Sequence, residues 1–250
     1  MIITIHQPEH LPWLGLFNNM AKAENYVVLD SVQYEKNYFQ NRNRILGTNG
    51  VQWISIPVSN KGHMDGSIAT TLIATDPKNA KWKEKYLQTI VQSYKKYPYF
   101  NDVYPLLEKA INTETEYFWE INMVIIKSFN DALDIHPEYV RSTELNVNGL
   151  KSDLILDICK AAGADVYIAG PSGRDYLDME SFRDAGIEVV FNDYHHPVYP
   201  QRKTEEFISH LSALDLFMNV GFEEAKKVIM QDNEYLYNFD GTVNNDIKRH

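Results

Sequence analysis

The chain has 250 residues, of which 44% are hydrophobic and 23% charged, with one cysteine and a formal net charge of −10. This length fits one large α/β domain or two small ones, and a lone cysteine excludes an intrachain disulfide framework. The acidic balance disfavours binding to a nucleic-acid backbone. No signal peptide and no apolar run of roughly 18 residues is evident, so we expect a cytoplasmic protein without membrane insertion.

The N-terminal part is predicted to form a strand–loop–helix–strand unit. The strands cover residues 2–6 and 26–30, and the helix covers residues 15–23. The polar stretch over 31–50 is predicted to be mostly loop. Further strands are predicted over 51–58 and 67–74, joined by a turn over 61–66.

A helical section follows, beginning at Pro77. Apolar residues recur at three-to-four spacing over 81–97, 102–112 and 116–133, which predicts three helices, and Pro98 and Pro105 are expected to break up the section. Because no strand interrupts this section, residues 77–135 are expected to form a helical insert or subdomain.

Strand and helix then alternate again. Predicted strands cover 139–142, 166–169 and 187–191, with helices over 151–162, 178–185 and 204–230. Together these elements predict an α/β fold: a mostly parallel, Rossmann-like sheet with helices on both faces and a helical insert. Residues 1–76 and 136–230 would form the core, and the polar segment 231–250 a C-terminal tail.

His6 and His10 are the first candidate functional residues, and we predict a catalytic role for them. His6 ends the first strand, where ligands bind in open parallel sheets, and imidazole titrates near neutral pH. Either ring would act as a general base or stabilise a phosphate. Two other interpretations stay open: His6 as a core histidine that is hydrogen-bonded to the backbone, and a zinc pair, which the prolines and the missing HExxH pattern disfavour.

Three further groups of residues are predicted to bind substrate. The first, after the second strand, combines arginines that suit a phosphate or carboxylate with amides that suit sugar hydroxyls. The second is a Gly-Ser-Gly turn whose backbone N–H groups form an anion nest. The third follows the strand over 187–191. The residues are Asp30, Gln33, Lys36, Asn41, Arg42, Asn43 and Arg44; Gly170, Ser172, Gly173, Arg174 and Asp175; and His195 and His196. Solvated loops and a tight turn are the structural alternatives.

Several sequence blocks, taken together, resemble the WbqC-like family of bacterial proteins. They are IHQPEHLPWLGLF, LDSVQYEKNYFQNRNRI, WISIPV, IAGPSGRDYLD, and HPVYPQ followed by LSALDLFMNVG. The resemblance implies a role in the biosynthesis of bacterial surface polysaccharide, O-antigen included. It also implies transferase activity, transfer of glycine to a sugar among the options. It implies no catalytic residues.

The leading hypothesis is therefore a transferase that attaches an acyl or aminoacyl group to a sugar precursor. Its small-molecule substrates would be a nucleotide-linked sugar and an acyl or aminoacyl donor. A nucleotidyltransferase or ATP-dependent activating enzyme is the first alternative, since the histidine pair loosely resembles the PxHxGH motif of adenylyltransferases. That alternative requires Mg²⁺ with a nucleotide; cofactors are otherwise open. A non-catalytic protein that binds a sugar nucleotide is the second alternative.

Overall fold

A mostly parallel sheet forms the centre of the computed structural model, which describes residues 1–59, 66–202 and 204–247. The strands are, in chain order, β1 (Ile2–His6), β2 (Asn25–Val28), β3 (Arg42–Gly47), β4 (Gly50–Ser55), β5 (Glu138–Arg141), β6 (Val166–Ala169), β7 (Glu188–Phe191), β8 (Leu236–Tyr237) and β9 (Val243–Asn244). The helices are α1 (Leu14–Lys22), α2 (Trp82–Tyr94), α3 (Phe100–Ile111), α4 (Phe118–Ala132), α5 (Ser152–Ala162), α6 (Met179–Asp184) and α7 (Ala213–Met230).

The strand order of the main sheet is β5-β2-β1-β6-β7-β8-β9, and the first five of these strands pair in parallel. The chain starts at the central strand β1, continues to β2 and β5 on one side, and later reaches β6 and β7 on the other. The strand order therefore reverses between β1 and β6. In doubly wound sheets, ligands bind at the carboxyl ends of the strands that flank this reversal.

Each face of the sheet buries an apolar core. On β2 the side chains alternate, because successive residues of a strand point to opposite faces. Tyr26 and Val28 pack with α1, α7 and the central helices, whereas Val27 packs with α5 and α6. The predicted α/β class, with a mostly parallel sheet, is confirmed. No helix in the described ranges is long and apolar enough to cross a membrane.

One prediction for the region before the central helices is incomplete, and one is wrong. The segment 31–50 is mostly loop, as predicted, but it also contains β3, which pairs antiparallel with β4 as a separate two-stranded ribbon. Residues 67–74 form a 3-10 turn (Ile68–Thr70) and isolated bridges instead of a strand. The turn predicted over 61–66 lies outside the described residues except for Gly66.

Three predictions for later segments also need correction. Pro105 does not end a helix but lies inside α3. Residues 204–212 are not helical where they are described, since α7 begins at Ala213. The tail after Gln231 contributes β8, which pairs antiparallel with β7, and β9, which pairs antiparallel with β8.

Candidate functional site

A cavity of about 360 Å³ opens near the carboxyl end of β1, next to the point where the strand order reverses. Its size is in the range of small-molecule sites in proteins. Its walls come from β1 and the loop after it, from the segment that leads into β3, and from the segment between β7 and α7. The lining residues are His6, Glu9, Trp13, Tyr38, Phe39, Asn43, Arg44, His196 and His210.

His6 is the last residue of β1, and its side chain is 29% exposed. Its Nδ1 lies 3.0 Å from the carbonyl oxygen of Gln7. Because a carbonyl oxygen only accepts, Nδ1 carries the proton in the neutral ring, and the lone pair is on Nε2. The backbone thus selects the tautomer that presents a proton-accepting nitrogen.

Glu9 lies beside this nitrogen. Its Oε1 is 4.0 Å from His6 Nε2, and only 6% of the residue is exposed. Burial raises the pKa of the Glu9 carboxyl, and the charge of His6 opposes this change. An ionised Glu9 would stabilise a protonated His6 ring, and it would do so from the side of Nε2, the nitrogen that takes the proton.

Arg44 supplies a cationic group to the same cavity. It lies on β3, and its Nη2 donates a hydrogen bond to the carbonyl oxygen of His210 at 2.8 Å. Its Nε is buried and has no hydrogen-bond partner among the described residues. A ligand in the cavity would therefore meet the Nη atoms, and a guanidinium in this position suits a carboxylate or phosphate group.

His196 and His210 form part of the wall and are stacked, with ring centroids 4.9 Å apart. His196 Nδ1 donates to the Pro197 carbonyl oxygen at 3.0 Å, and its Nε2 accepts from the His210 backbone N–H at 3.2 Å. Burial is the main cause of the lowered pKa of His196. Because both of its nitrogens are engaged, His196 shapes the cavity and is not positioned as a base.

His10 does not reach the cavity, which contradicts a catalytic role for this second histidine. It is fully buried, with Nδ1 2.8 Å from Asn122 Oδ1 and Nε2 2.8 Å from the Tyr86 hydroxyl. Burial lowers its pKa to about 4. With both nitrogens occupied, His10 has no atom left for a metal ion or a phosphate. His10 is therefore a structural histidine.

Asp30 is also enclosed by the protein and is not placed to bind substrate. Its carboxylate accepts hydrogen bonds from Arg141 Nε at 2.6 Å, from the Ser142 hydroxyl at 3.0 Å, and from the backbone and hydroxyl of Thr143 at 3.1 Å. These bonds join the end of β2 to the end of β5. Its function in this structure is to hold the edge of the sheet together.

The predicted residues between positions 33 and 44 lie in different places, some at the cavity and some away from it. Asn43 lines the cavity, but its Nδ2 donates to the carbonyl oxygens of His10 and Leu11. Asn41 is bonded to Tyr34 and to the Ile56 backbone. The remaining predicted residues lie outside the cavity: Gln33 and Lys36 are exposed on the loop, and Arg42 stacks on Trp53 with its Cζ 4.2 Å from the ring centroid.

The Gly-Ser-Gly turn follows β6 at the same edge of the sheet but does not line the cavity. Arg174 forms a two-point ion pair with Asp193, at 2.6 and 2.9 Å, and also donates to the carbonyl oxygens of Asn238 and Phe239. Its guanidinium is therefore bonded to other groups of the protein and does not point into the cavity. The other predicted residues on the turn are Gly170, Ser172, Gly173 and Asp175. His195 lies in the loop after β7, and its backbone N–H donates to Asn233 Oδ1.

Sequence reasoning missed Glu9, Trp13, Tyr38, Phe39 and His210 as cavity residues. Glu9 lies between the two predicted histidines in the sequence, and this position could have indicated that it belongs to the same site as His6. The aromatic residues and His210 had no such signal, because only the tertiary fold brings them to the end of β1. Among the described residues, no group of three or more His, Cys, Asp or Glu side chains is arranged to hold a metal ion.

Comparison with known proteins identifies the family. The model of the WbqC-like protein family matches residues 7–227. The chain belongs to this family. It is also similar to the uncharacterized protein Rv1507c of Mycobacterium tuberculosis, with 29% identity over 223 residues. That match covers 88% of this WbqC-like chain and 94% of the relative.

Proposed function

We propose that this protein is a transferase that attaches an acyl or aminoacyl group, glycine among the candidates, to a hydroxyl or amino group of a sugar precursor. The single observation that carries the proposal is the arrangement of His6 in the cavity. Its Nε2 is the unprotonated nitrogen, partly exposed and 4.0 Å from a buried carboxyl. Family membership supports a place in the biosynthesis of bacterial surface polysaccharide, O-antigen included.

The chemical step follows from this arrangement. His6 Nε2 takes the proton of the acceptor O–H or N–H while the acceptor atom attacks the acyl carbon of the donor. The bond between the acyl carbon and the leaving group then breaks, and the imidazolium returns its proton to the leaving group. Glu9 stabilises the intermediate charge on His6, and Arg44 holds an anionic part of donor or acceptor.

The aromatic wall of the cavity supports a sugar or another ring-shaped substrate. Trp13, Tyr38 and Phe39 supply apolar ring faces, while Glu9 and Arg44 supply the polar groups that orient a ligand. This mixture is typical of sites that bind polar rings.

The test is a transfer assay with the purified protein. UDP-linked and dTDP-linked amino sugars are incubated with acyl-coenzyme A donors, glycyl-coenzyme A among them. Mass spectrometry then detects the added acyl or glycyl group. We expect His6→Gln to lower the rate on the order of 10²–10⁴-fold, the range that a general base contributes. Glu9→Gln should lower it by roughly tenfold or more, because the imidazolium loses its counter-charge.

The matched control is His136→Gln, since the His136 side chain is 61% exposed and pairs only with nearby aspartates of its own region. This variant should keep the full rate. A His6→Gln protein that is folded and transfers at the wild-type rate would contradict the proposal. Saturable binding of the sugars without consumption of any donor would instead indicate a non-catalytic binding protein.

A further inference from the structure

The outward face of the β3–β4 ribbon carries an exposed tryptophan and two arginines next to the cavity. We propose that this face binds the nucleoside diphosphate of a nucleotide-linked sugar, with the base stacked on Trp53 and the phosphates held by Arg42 and Arg44. This inference rests on the proposed function, because it places the sugar of such a substrate in the cavity where His6 lies.

The register of the ribbon brings the three side chains to one face. Arg44 lies directly opposite Trp53, and Arg42 lies two residues before Arg44 on the same strand. Because side chains alternate along a strand, residues 42 and 44 share a face and stand about 7 Å apart. On the other face, Ile45 and Ile54 pack into the core.

Trp53 offers an aromatic surface that the protein covers only in part, with the Arg42 guanidinium over one face of the ring at 4.2 Å from its centroid. It is 48% exposed, and the Phe39 ring lies 5.8 Å away at an angle of 44°. Phe39 and its neighbour Tyr38 line the cavity, so the aromatic surface continues from the cavity onto the ribbon. Aromatic platforms of this kind stack nucleobases irrespective of the base, because every base has a flat face.

The arginines give this face a positive charge on a chain whose net charge is −10. The Nε atoms of both arginines are buried, so a bound phosphate would meet the Nη atoms, each of which carries two hydrogens. Their Nη atoms donate to Asn37 and to the His210 backbone, which holds the guanidiniums in place. Two positioned guanidiniums beside an aromatic ring match a diphosphate attached to a base.

The geometry also sets the orientation of the substrate. Arg44 belongs to both the ribbon face and the cavity lining, so a phosphate bound there lies at the cavity mouth. The base then extends outward along the ribbon, and the sugar on the other side of the diphosphate extends toward His6. A free sugar, which has neither base nor phosphate, would leave Trp53 and Arg42 unused.

Isothermal titration calorimetry tests this site directly. The probes are UDP, GDP, dTDP, uridine and inorganic pyrophosphate, each titrated into the full chain. We expect at least one nucleoside diphosphate to bind more tightly than either uridine or pyrophosphate. Trp53→Ala should weaken its binding by about tenfold and leave pyrophosphate binding unchanged, because stacking is lost. Arg42→Gln should weaken both ligands, and more so at low ionic strength.

Val51→Ala is the matched control, since Val51 lies on the same strand and face as Trp53 and is 44% exposed. It should bind as the wild type does. Absence of binding by all three nucleoside diphosphates, or equal binding by the Trp53→Ala protein, would overturn the inference. The His6→Gln protein separates the two proposals. If it still binds the nucleoside diphosphate but no longer transfers the acyl group, both proposals are supported. Transfer to a sugar without nucleoside diphosphate binding would leave only the proposed function standing.

Discussion

Two histidines four residues apart have opposite environments in this chain. His6 lies at a cavity with one free nitrogen, whereas His10 is buried with hydrogen bonds to Asn122 and Tyr86. The pKa of His10 is lowered to about 4 because burial disfavours the charged ring. The same residue type therefore lines a cavity at one position and lies in the core at the other.

The buried histidine predicts a pH dependence of stability. The unfolded chain protonates His10 below its ordinary pKa of 6.5, but the folded protein resists protonation until about 4. The unfolded state binds more protons in this interval, so stability falls as the pH falls from 6.5 toward 4. By linkage this amounts to about 2 kcal/mol between neutral pH and about pH 5.

The measurement compares urea unfolding of the wild type and of His10→Gln at about pH 7 and about pH 5. Glutamine keeps a donor and an acceptor but does not titrate. The difference in unfolding free energy between the two proteins should therefore shrink by about 2 kcal/mol at the lower pH. An unchanged difference would show that His10 is accessible to protons in the folded state.

At the scale of elements, the turn after β6 and the C-terminal strands are held together by one side chain. Arg174 connects the turn to Asp193, which follows β7, and to the backbone between β8 and β9. Its guanidinium also lies 4.1 Å over the Phe191 ring. Four elements at this end of the sheet thus share a single cation.

Replacing this cation should loosen the C-terminal strands. We expect Arg174→Ala to speed amide hydrogen exchange over residues 236–244 and to lower the free energy of unfolding by about 1–3 kcal/mol, since charge-assisted hydrogen bonds are lost. Arg183→Ala is the control, because that side chain is 72% exposed. Equal exchange rates in the two variants would show that β8 and β9 hold their place without Arg174.

At the scale of the whole molecule, the central helices share a core with the rest of the chain. Ile90, Leu107 and Ile121 belong to the same buried cluster as Phe17 of α1 and Leu214 of α7. A separate subdomain over 77–135 stays a prediction, but the common core favours one cooperative unit.

A destabilised variant tests whether the molecule unfolds cooperatively. Ile121 is fully buried in α4, so Ile121→Ala should cost roughly 2–5 kcal/mol. We expect hydrogen exchange in urea to report the same shift in midpoint for α2–α4 and for the parallel sheet. A shift confined to α2–α4 would mean that the helical section unfolds on its own.

The sequence by itself determined the parallel strands and the end of the sheet where the cavity lies. Short apolar runs that end in polar residues, separated by amphipathic segments, have few arrangements other than an α/β sheet. His6 could be selected from its position at the end of such a run. The ribbon strand β3 could not, because alternating arginine and asparagine in NRNR does not show which face is buried.

Only the tertiary structure decided which candidate residues meet. His6, Arg44 and His196 line one cavity, whereas His10, Asp30 and Arg174 are bonded to partners from other parts of the chain. The physical reason is that exposure and hydrogen bonding depend on segments far apart in sequence, such as Asn122 beside His10. Local patterns determine periodicity and strand ends, and long-range packing determines which polar groups remain free to bind a substrate.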